Sequence, residues 1–417
     1  MKFYVEVYGC TANKSDANLI KGLISNHPQH QLITSPNQAD VLIILTCTVI
    51  DTTEQRMLHR IKELMNTERK VVIAGCMASV QQELIREKFP TALLLSPRKI
   101  HYLFEILSNK KREESIKQKA FAPKQYTGLI APIAIAEGCL FSCSYCITHL
   151  ARGKLHSYPE KAIISSVKDA INQGCKEIQI TAQDTASYGI NQQSSLPLLL
   201  KKIVNSTEDG LIRVGMMNPR TTKMILPDLL LQYNHHQIYS FLHLPIQSGD
   251  NHILEKMNRG YKIQDAEQII TKFRTKYPDI TIATDAIVGF PTETNEQFQQ
   301  TKELLQRIKP DVVNITRFSA RPFTKAKKMN GRIPTEIVKE RSRELTSFCK
   351  KLTTQRNNRY IGKTINVLTL KKGTQNTIIA RSMNYKPVTI KKQIPLGEKR
   401  TVDIIDATET HLVGMLK

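Results

Sequence analysis

The sequence predicts an α/β protein in three parts: an N-terminal parallel α/β domain, a central partial (βα)6 barrel and a small C-terminal β-barrel. Two regions in which strand-like and helix-like segments alternate predict the first two parts, because such alternation usually forms a parallel sheet flanked by helices. Five short alternating segments with nearby glycines predict the third part. With 417 residues and 41% hydrophobic content, the chain is long enough for two or three folded domains.

Residues 1–108 are predicted to form the first domain. Its four predicted strands are short, apolar and rich in β-branched residues, and they lie at 3–8, 41–45, 70–74 and 92–95. Helical patterns lie between them at 15–25, 52–65 and 79–88, with Ser15 and Thr52 as the predicted N-caps. Residues 109–127 are charged and weakly periodic, so they are predicted to form a solvated linker.

Residues 128–357 are predicted to form the partial barrel and a trailing helix. One strand directly precedes Cys139, and the others are predicted at 177–181, 211–216, 238–243, 280–284 and 312–316. The predicted helices are 159–172, 196–205, 222–232, 263–277 and 295–308, followed by a long polar helix at 334–357. Six βα units are too few for a closed eight-stranded barrel, so an open six-stranded barrel is expected.

Residues 358–417 are predicted to form the small β-barrel, with strands at 364–370, 377–382, 386–390, 401–407 and 411–415. Its basic residues are Lys371, Lys372, Lys386, Lys391, Lys392, Lys399 and Arg400. A basic β-barrel can bind RNA phosphates, whereas the alternative is a module that only improves solubility.

The whole chain is strongly basic, with 60 Lys and Arg against 37 Asp and Glu and a net charge of +23. Such a charge attracts polyanions, so a nucleic acid is the predicted partner. The chain opens on a strand-like segment at 2–8 without a signal peptide ahead of it, and the apolar stretch 41–50 is too short to cross a bilayer. Eight cysteines without a disulfide pattern indicate a reducing compartment. A soluble cytoplasmic protein that makes no membrane contact is therefore expected.

Three cysteines lie close together in the loop that starts the partial barrel: Cys139, Cys143 and Cys146. A loop this tight can aim three thiolates at one point. Three soft ligands with no fourth nearby suit an iron–sulfur cluster that leaves one iron open to a substrate. The alternatives are a zinc loop or chance spacing, although zinc sites usually pair two cysteine-rich knuckles.

A second set of cysteines follows the first three main strands of the N-terminal domain: Cys10, Cys47 and Cys76. The carboxyl ends of parallel strands line one crevice, so these thiols are expected to converge on a second metal cluster. Gly9 and Gly75 allow the backbone to approach closely there. The alternative is that all three are ordinary core cysteines, which is how we interpret Cys175 and Cys349. No glycine-rich dinucleotide fingerprint follows these strands, so a nicotinamide cofactor is not expected.

Polar residues also follow the barrel strands, and in a barrel of this kind such positions are candidate site residues. They are Gln183 with Asp184, Asn218 with Pro219, residues 245–249, Asp285 with Gly289, and Ser319 with Arg321.

The Cys-x3-Cys-x2-Cys motif, with Tyr145 before its last cysteine, resembles the signature of the radical S-adenosylmethionine (SAM) enzymes. Together with residues 8–13, 46–49 and 74–76, it resembles the methylthiotransferase family over the whole chain, and the C-terminal module resembles that family's TRAM RNA-binding domain. Longer stretches at 146–158, 182–189, 214–219, 241–245 and 281–285 resemble the archaeal and eukaryotic branch that acts on N6-threonylcarbamoyladenosine (t6A) in tRNA. His149 stands where that branch more often has Lys, which leaves the role of this position open.

The resemblance implies that Cys139, Cys143 and Cys146 hold a [4Fe–4S] cluster whose open iron binds SAM and generates a 5′-deoxyadenosyl radical. It implies a second [4Fe–4S] cluster on the other cysteine set and conversion of t6A37 to its 2-methylthio form, ms2t6A37, in tRNAs that decode ANN codons. An electron donor and a sulfur donor are implied partners. The residues implied to complete the SAM pocket are Tyr145, Gln183, Gln247 and Gly289.

Three alternative functions remain open from the sequence. Two use the same chemistry, on isopentenyladenosine-37 of tRNA or on an aspartate of a ribosomal protein. The third is a non-catalytic RNA-binding protein with structural or redox-sensing clusters. Formation of 5′-deoxyadenosine from SAM separates the enzymes from the binding protein.

Overall fold

The computed structural model describes residues 1–110 and 115–417. The first domain is a five-stranded parallel sheet of order β2-β1-β3-β4-β5, which confirms the predicted fold class for this part. Its strands are β1 (Lys2–Val7), β2 (Gln31–Leu32), β3 (Val41–Thr46), β4 (Lys70–Gly75) and β5 (Leu93–Leu95). Its helices are α1 (Thr11–Ser25), α2 (Asp51–Met65), α3 (Met77–Val80), α4 (Gln82–Lys88) and α5 (Leu103–Leu107). All six residues of β3 are buried because a hydrophobic core covers each face of the sheet.

Two predicted helix starts in this domain are wrong. Helix α1 begins directly after Cys10, which is its N-cap, and Ser15 is buried inside the helix. The Ser15 hydroxyl instead accepts a hydrogen bond from the backbone N–H of Ala134, at 3.2 Å. Helix α2 likewise has Ile50, not Thr52, as its N-cap. The sequence could not indicate the distant partner that makes a buried serine tolerable within a helix.

The segment predicted as a charged linker, residues 109–127, is not solvated throughout. Residues 111–114 lie outside the described residues. Beyond them a short helix, α6 (Ile116–Phe121), carries Lys119 and Ala120, both of which are 2% exposed. The Lys119 side chain contacts Glu137, two residues before Cys139, so a charged residue of the segment has a buried role.

The central part contains six parallel strands, which confirms the predicted open barrel. They are β6 (Ile130–Ala134), β9 (Glu177–Thr181), β10 (Leu211–Val214), β11 (Phe241–His243), β12 (Thr281–Val288) and β13 (Val312–Arg317). They form two three-stranded sheets, β6-β9-β10 and β11-β12-β13, joined by a parallel bridge between Ile212 and Ile238. A short antiparallel pair, β7 (Ala136–Glu137) and β8 (His156–Ser157), brackets the cysteine loop.

The helices of the central part cover the outside of the strands and bury one continuous core. They are α7 (Ile147–Arg152), α8 (Glu160–Asn172), α9 (Leu196–Val204), α10 (Pro219–Gln232), α11 (Asn251–Lys256), α12 (Ile263–Lys276), α13 (Asn295–Ile308) and α14 (Thr335–Asn358). Among the described residues, we find no helix with the length and apolar character needed to span a membrane.

The C-terminal part is a closed five-stranded barrel of order β14-β15-β16-β18-β17, as predicted. Its strands are β14 (Thr364–Lys372), β15 (Ile378–Ser382), β16 (Pro387–Ile390), β17 (Lys399–Ala407) and β18 (Leu412–Leu416). This barrel is not an independent appendage, because Leu368 and Leu370 share a core with Tyr239 and Phe241 of the central part.

One lysine of the predicted RNA-binding set has a different role. Lys386 is 4% exposed, and its Nζ lies 3.0 Å from Asp311 Oδ1 and 2.8 Å from Asn357 Oδ1. Lys386 therefore joins the small barrel to the central part and is not available to a phosphate. The other lysines of the predicted set are exposed.

Candidate metal centres

The first cysteine loop is closed at its base by backbone hydrogen bonds. Cys139 donates its N–H to the carbonyl of Gly153 at 3.0 Å and accepts from Leu155 at 3.2 Å. The middle of the loop is tied to the end of α11, since Ser144 donates its N–H to the carbonyl of Met257 at 3.0 Å. Cys146 is the N-cap of α7. These ties hold three sulfur atoms at the carboxyl edge of the partial barrel.

Gly138, directly before the first cysteine, permits this closure. Its φ is +78°, and a Cβ at this position would lie 2.2 Å from the carbonyl oxygen of Lys154. Gly128 also has a φ of +78°, but nothing lies within 4 Å of the Cβ it would carry. Both Gly→Ala substitutions cost about 1–2 kcal/mol for a side chain at positive φ, and only the one at 138 also displaces backbone.

We therefore expect Gly138→Ala to lose the iron of this centre after anaerobic reconstitution, while Gly128→Ala keeps it. Iron content and the cluster absorbance of both variants check this expectation. Equal iron in Gly138→Ala and Gly128→Ala would contradict the claim that close backbone packing at residue 138 shapes the loop.

The second cysteine set lies at the carboxyl ends of three adjacent strands, as expected from a parallel sheet. Cys10 and Cys76 are the N-caps of α1 and α3, and Cys47 directly follows β3. A Cβ on Gly9 would lie 2.9 Å from the Cβ of Cys47. The three thiols are close enough that the charged forms of Cys10 and Cys47 would each raise the pKa of the Cys76 thiol.

Two helices that follow cysteines of the two sets pack together across the boundary between the first two domains. Helix α3, which follows Cys76, packs against α7, which follows Cys146, and Ser79 Oγ donates to the carbonyl of Ala151 at 2.9 Å. Burial raises the pKa of the Cys76 thiol to about 12, and the nearby guanidinium of Arg152 opposes that rise. A cation beside this sulfur favours the thiolate that a metal requires.

Arg152 also belongs to a buried network of four charges between the cysteine sets: Asp16, Lys119, Glu137 and Arg152. All four are at most 3% exposed. Arg152 donates to Asp16 Oδ2 at 2.8 Å and to Glu137 Oε1 at 2.6 Å. Lys119 Nζ lies 2.8 Å from Asp16 Oδ1 and also contacts Glu137. Burial alone would raise the pKa of Glu137, but Lys119 and Arg152 outweigh it and hold that pKa at about 2.

All three cysteines of the first loop line a cavity of about 240 Å³. Gln183, Asp184 and Gln247 line it as well. The Oε1 atom of Gln183 is buried without a hydrogen-bond partner among the described residues, so it is free to bind a ligand. Burial raises the pKa of Asp184 to about 6, although it accepts hydrogen bonds from the backbone N–H groups of Asn218 and Ala186.

An adjoining cavity of about 350 Å³ shares Tyr145, Cys146 and Gln247 with the first. Gln247 has a positive φ of 86°, a conformation that is uncommon for a residue with a side chain. Of the predicted SAM-pocket residues, the structure thus brings Tyr145, Gln183 and Gln247 to the cysteines.

Gly289 lines neither of these cavities but a neighbouring one of about 290 Å³, and a Cβ on Gly289 would meet the side chain of Val338 at 2.4 Å. His149 does line the cysteine cavity, and its Nδ1 is buried without a hydrogen-bond partner among the described residues.

Sequence reasoning missed Arg259, a buried residue of this site. Its Nη1 lies 3.4 Å from both Cys143 Sγ and the hydroxyl of Tyr145, and its Nη2 donates to the carbonyl of Pro245 at 2.7 Å. Candidate site residues were predicted at the carboxyl ends of strands, but Arg259 follows a helix and was therefore not among them. The only signal in the sequence was an arginine flanked by the turn formers Asn258 and Gly260.

Both cysteine sets have the donor chemistry that an iron–sulfur cluster requires. Each offers three thiols and an adjacent cation, Arg259 for the first set and Arg152 for the second. Within residues 1–110 and 115–417, no group of three His, Cys, Asp or Glu side chains is arranged to hold a single metal ion. A four-iron cluster differs because each thiolate binds a separate iron, so its ligands stand farther apart. Three thiols beside a cation are a donor set that suits an iron–sulfur cluster.

Comparison with known families divides the chain into three matches. Residues 2–96 match the family described as "Uncharacterized protein family UPF0004", residues 133–305 match the radical SAM superfamily, and residues 358–417 match the TRAM domain. The fold resembles that of a radical SAM methyltransferase, TsrM, from Kitasatospora setae, with a TM-score of 0.57 and 12% identity over 78% of this chain and 76% of that chain.

Named relatives match over 99% or more of this chain. A probable threonylcarbamoyladenosine tRNA methylthiotransferase of Pyrococcus abyssi is 38% identical over 99% of both chains. One of Methanocaldococcus jannaschii is 39% identical over 100% of this chain and 97% of the relative. The human threonylcarbamoyladenosine tRNA methylthiotransferase is 29% identical over 99% of this chain and 73% of the relative.

The radical SAM and TRAM matches, together with these named relatives, define a radical SAM enzyme of the methylthiotransferase class. Within that class, the full-length identities are decisive. The chain belongs to the family of the threonylcarbamoyladenosine tRNA methylthiotransferases.

Proposed function

We propose that this protein methylthiolates C2 of t6A at position 37 of tRNA and produces ms2t6A37. Full-length identity of 38% to a named t6A methylthiotransferase carries the proposal, and the two sets of three free cysteines support it. In this proposal Cys139, Cys143 and Cys146 hold the [4Fe–4S] cluster that binds SAM, and Cys10, Cys47 and Cys76 hold a second one. When bound, SAM and the two clusters supply the one-electron chemistry and the methylthio group, which no side chain can provide.

The residues of the chain bind and orient the reactants. Gln183, through its unpartnered Oε1, and Gln247 line the cavity beside the first cysteine set and are proposed to contact SAM. Arg259 holds Tyr145 and the loop carrying Cys143 against the carbonyl of Pro245. Burial raises the pKa of Tyr145 well above the ordinary value, although the nearby guanidinium of Arg259 opposes that rise.

The proposal also requires other partners. An electron donor must reduce the first centre, and a sulfur donor must replace the sulfur consumed in each turnover. Action on tRNA favours a cytoplasmic location. These partners are proposed from the reaction, since atoms and electrons must balance.

We propose that the small barrel binds the phosphate backbone of the tRNA. Removing the barrel is a poor test, because Leu368 and Leu370 cover apolar residues of the central part. Neutralising exposed lysines of the barrel is a more specific test of RNA binding, because it leaves the packing of the barrel in place. A variant in which Lys371, Lys392 and Lys399 become Gln should flatten the plot of log affinity against log salt by about 2, at about 0.7 per lost phosphate contact.

The matched control neutralises three exposed lysines of the first domain, Lys62, Lys70 and Lys88, and should keep the original slope. Anaerobic filter binding of tRNA between low and high salt measures both. An unchanged slope in the barrel variant would show that these three lysines do not contact the RNA, which would then bind to another surface.

The proposed function is tested by nucleoside mass spectrometry of t6A-containing tRNA after anaerobic incubation with reconstituted protein, SAM and dithionite. A new ms2t6A peak is the expected result. Formation of 5′-deoxyadenosine without that peak would retain a radical SAM enzyme and redirect the search to isopentenyladenosine tRNA or a ribosomal protein. Absence of both products would favour the RNA-binding protein without catalysis.

A further inference from the structure

We infer that Arg317 is the specificity residue that reads the carboxylate of the threonylcarbamoyl group. The inference rests on the proposed function and deepens it. Arg317 ends β13 and lines the 350 Å³ cavity that also contains Tyr145, Cys146 and Gln247. It also lines the neighbouring 290 Å³ cavity, so it stands where the two spaces meet.

The side chain of Arg317 makes no ion pair or hydrogen bond to any residue that the structure describes. The other arginine of this cavity, Arg321, is engaged: it contacts Glu54 and lies 3.3 Å from Asp51 Oδ1. Arg317 is exposed and has no acidic partner among the described residues, so a bound ligand can supply one.

The acidic groups around Arg317 have partners of their own. Asp51 shares the smaller cavity and faces Arg321. Asp285 shares the larger one and accepts from Asn314 Nδ2 at 2.7 Å, with His243 Nε2 at 3.1 Å. Neither carboxylate lies within the 4.0 Å ion-pair distance of Arg317.

The chemistry of the N6 substituent is complementary to the unpaired positive charge of Arg317. A threonylcarbamoyl group ends in a carboxylate and carries a hydroxyl, whereas an isopentenyl group is neutral and apolar. A guanidinium pairs with a carboxylate through two parallel hydrogen bonds. Ser319 lines both cavities beside Arg317, and its hydroxyl has no partner among the described residues.

The same cation would reject the isopentenyl analogue. Covering an arginine with an apolar substituent removes its water and returns no hydrogen bond. Val49 and Ile50, which are 45% and 39% exposed, lie beside these cavities and offer an apolar surface to a base. Arg317 thus supplies both the attraction for t6A and the penalty against the neutral analogue.

The test uses anticodon stem-loop RNAs that differ only at position 37: t6A, the methyl ester of t6A, and isopentenyladenosine. Reconstituted holoenzyme is assayed for affinity by fluorescence anisotropy, and for kcat/KM by the methylthio product. Wild type should prefer the free acid over the ester by about 10- to 150-fold, the range of a charge-assisted hydrogen-bonded pair. Arg317→Gln should lose that preference by weakening the acid alone, and Arg317→Lys should retain part of it.

The control is Arg343→Gln, which removes one positive charge from the exposed face of α14 and should leave the preference unchanged. A wild-type preference that persists in Arg317→Gln would overturn the inference, as would no preference in the wild type. Failure of the proposed function is a separate result, because it removes ms2t6A from the wild-type assay while the anisotropy ratio still decides the role of Arg317.

Discussion

Cys143→Ala should reduce the formation of 5′-deoxyadenosine from SAM to the level seen without enzyme, whereas Cys47→Ala should leave it intact and lose methylthiolation. The two cysteines belong to different centres in our proposal. Losing one of three ligands leaves the first centre unable to hold SAM in its open position. Losing Cys47 removes a ligand from the second set alone and leaves the three cysteines of the first set in place.

Anaerobic assays of both products, with iron counted for each variant, measure this difference. Cys349→Ala is the matched control, because Cys349 is buried in the core of the central part and contacts neither centre. It should keep both activities. Methylthiolated RNA formed by Cys47→Ala would refute the assignment of a second centre to Cys10, Cys47 and Cys76.

The second large effect is expected in the buried network between the centres. Glu137→Gln and Arg152→Met each leave the buried four-charge network with one uncompensated charge, which typically costs about 3–5 kcal/mol of unfolding free energy. The loss should be measured in the apoprotein by urea unfolding, so that cluster content does not enter the result.

The control is Glu160→Gln on the surface. Glu160 pairs with Lys202, whose side chain is 54% exposed, so removing this pair should cost at most about 1 kcal/mol. Equal losses in Glu137→Gln and Glu160→Gln would mean that the buried network contributes no more than a surface pair.

The difference in unfolding free energy between wild type and Glu137→Gln should depend on pH, and the pKa of Glu137 determines how. Lys119 and Arg152 hold this pKa at about 2 in the folded protein, below the value of about 4.3 in an unfolded chain. A carboxyl whose pKa is lower in the folded than in the unfolded protein stabilises the fold when the pH is above its unfolded pKa. This stabilisation is lost as the pH falls toward the folded pKa. The gap between wild type and Glu137→Gln should be constant near neutrality and shrink below about pH 4.

Local patterns predicted much of the architecture and the convergence of the cysteines. The carboxyl ends of adjacent parallel strands must lie together, so cysteines after β1, β3 and β4 could be expected to meet. The close spacing of the other three required no tertiary information. The first argument uses a rule that holds for every parallel sheet, and the second uses only distances along the chain.

The sequence by itself determined the three-part fold, the two cysteine sets and the family. The tertiary structure alone decided the partners of single charged residues. It buried Lys119 and Lys386, placed Gly289 in a cavity that the cysteines do not line, paired Arg321 with Glu54 at 267 positions' separation and left Arg317 unpaired. The physical reason is that a charge in a linker, a strand or a loop has the same local pattern whether it meets water or a distant carboxylate. Only the packing of the domains decides which of the two it meets.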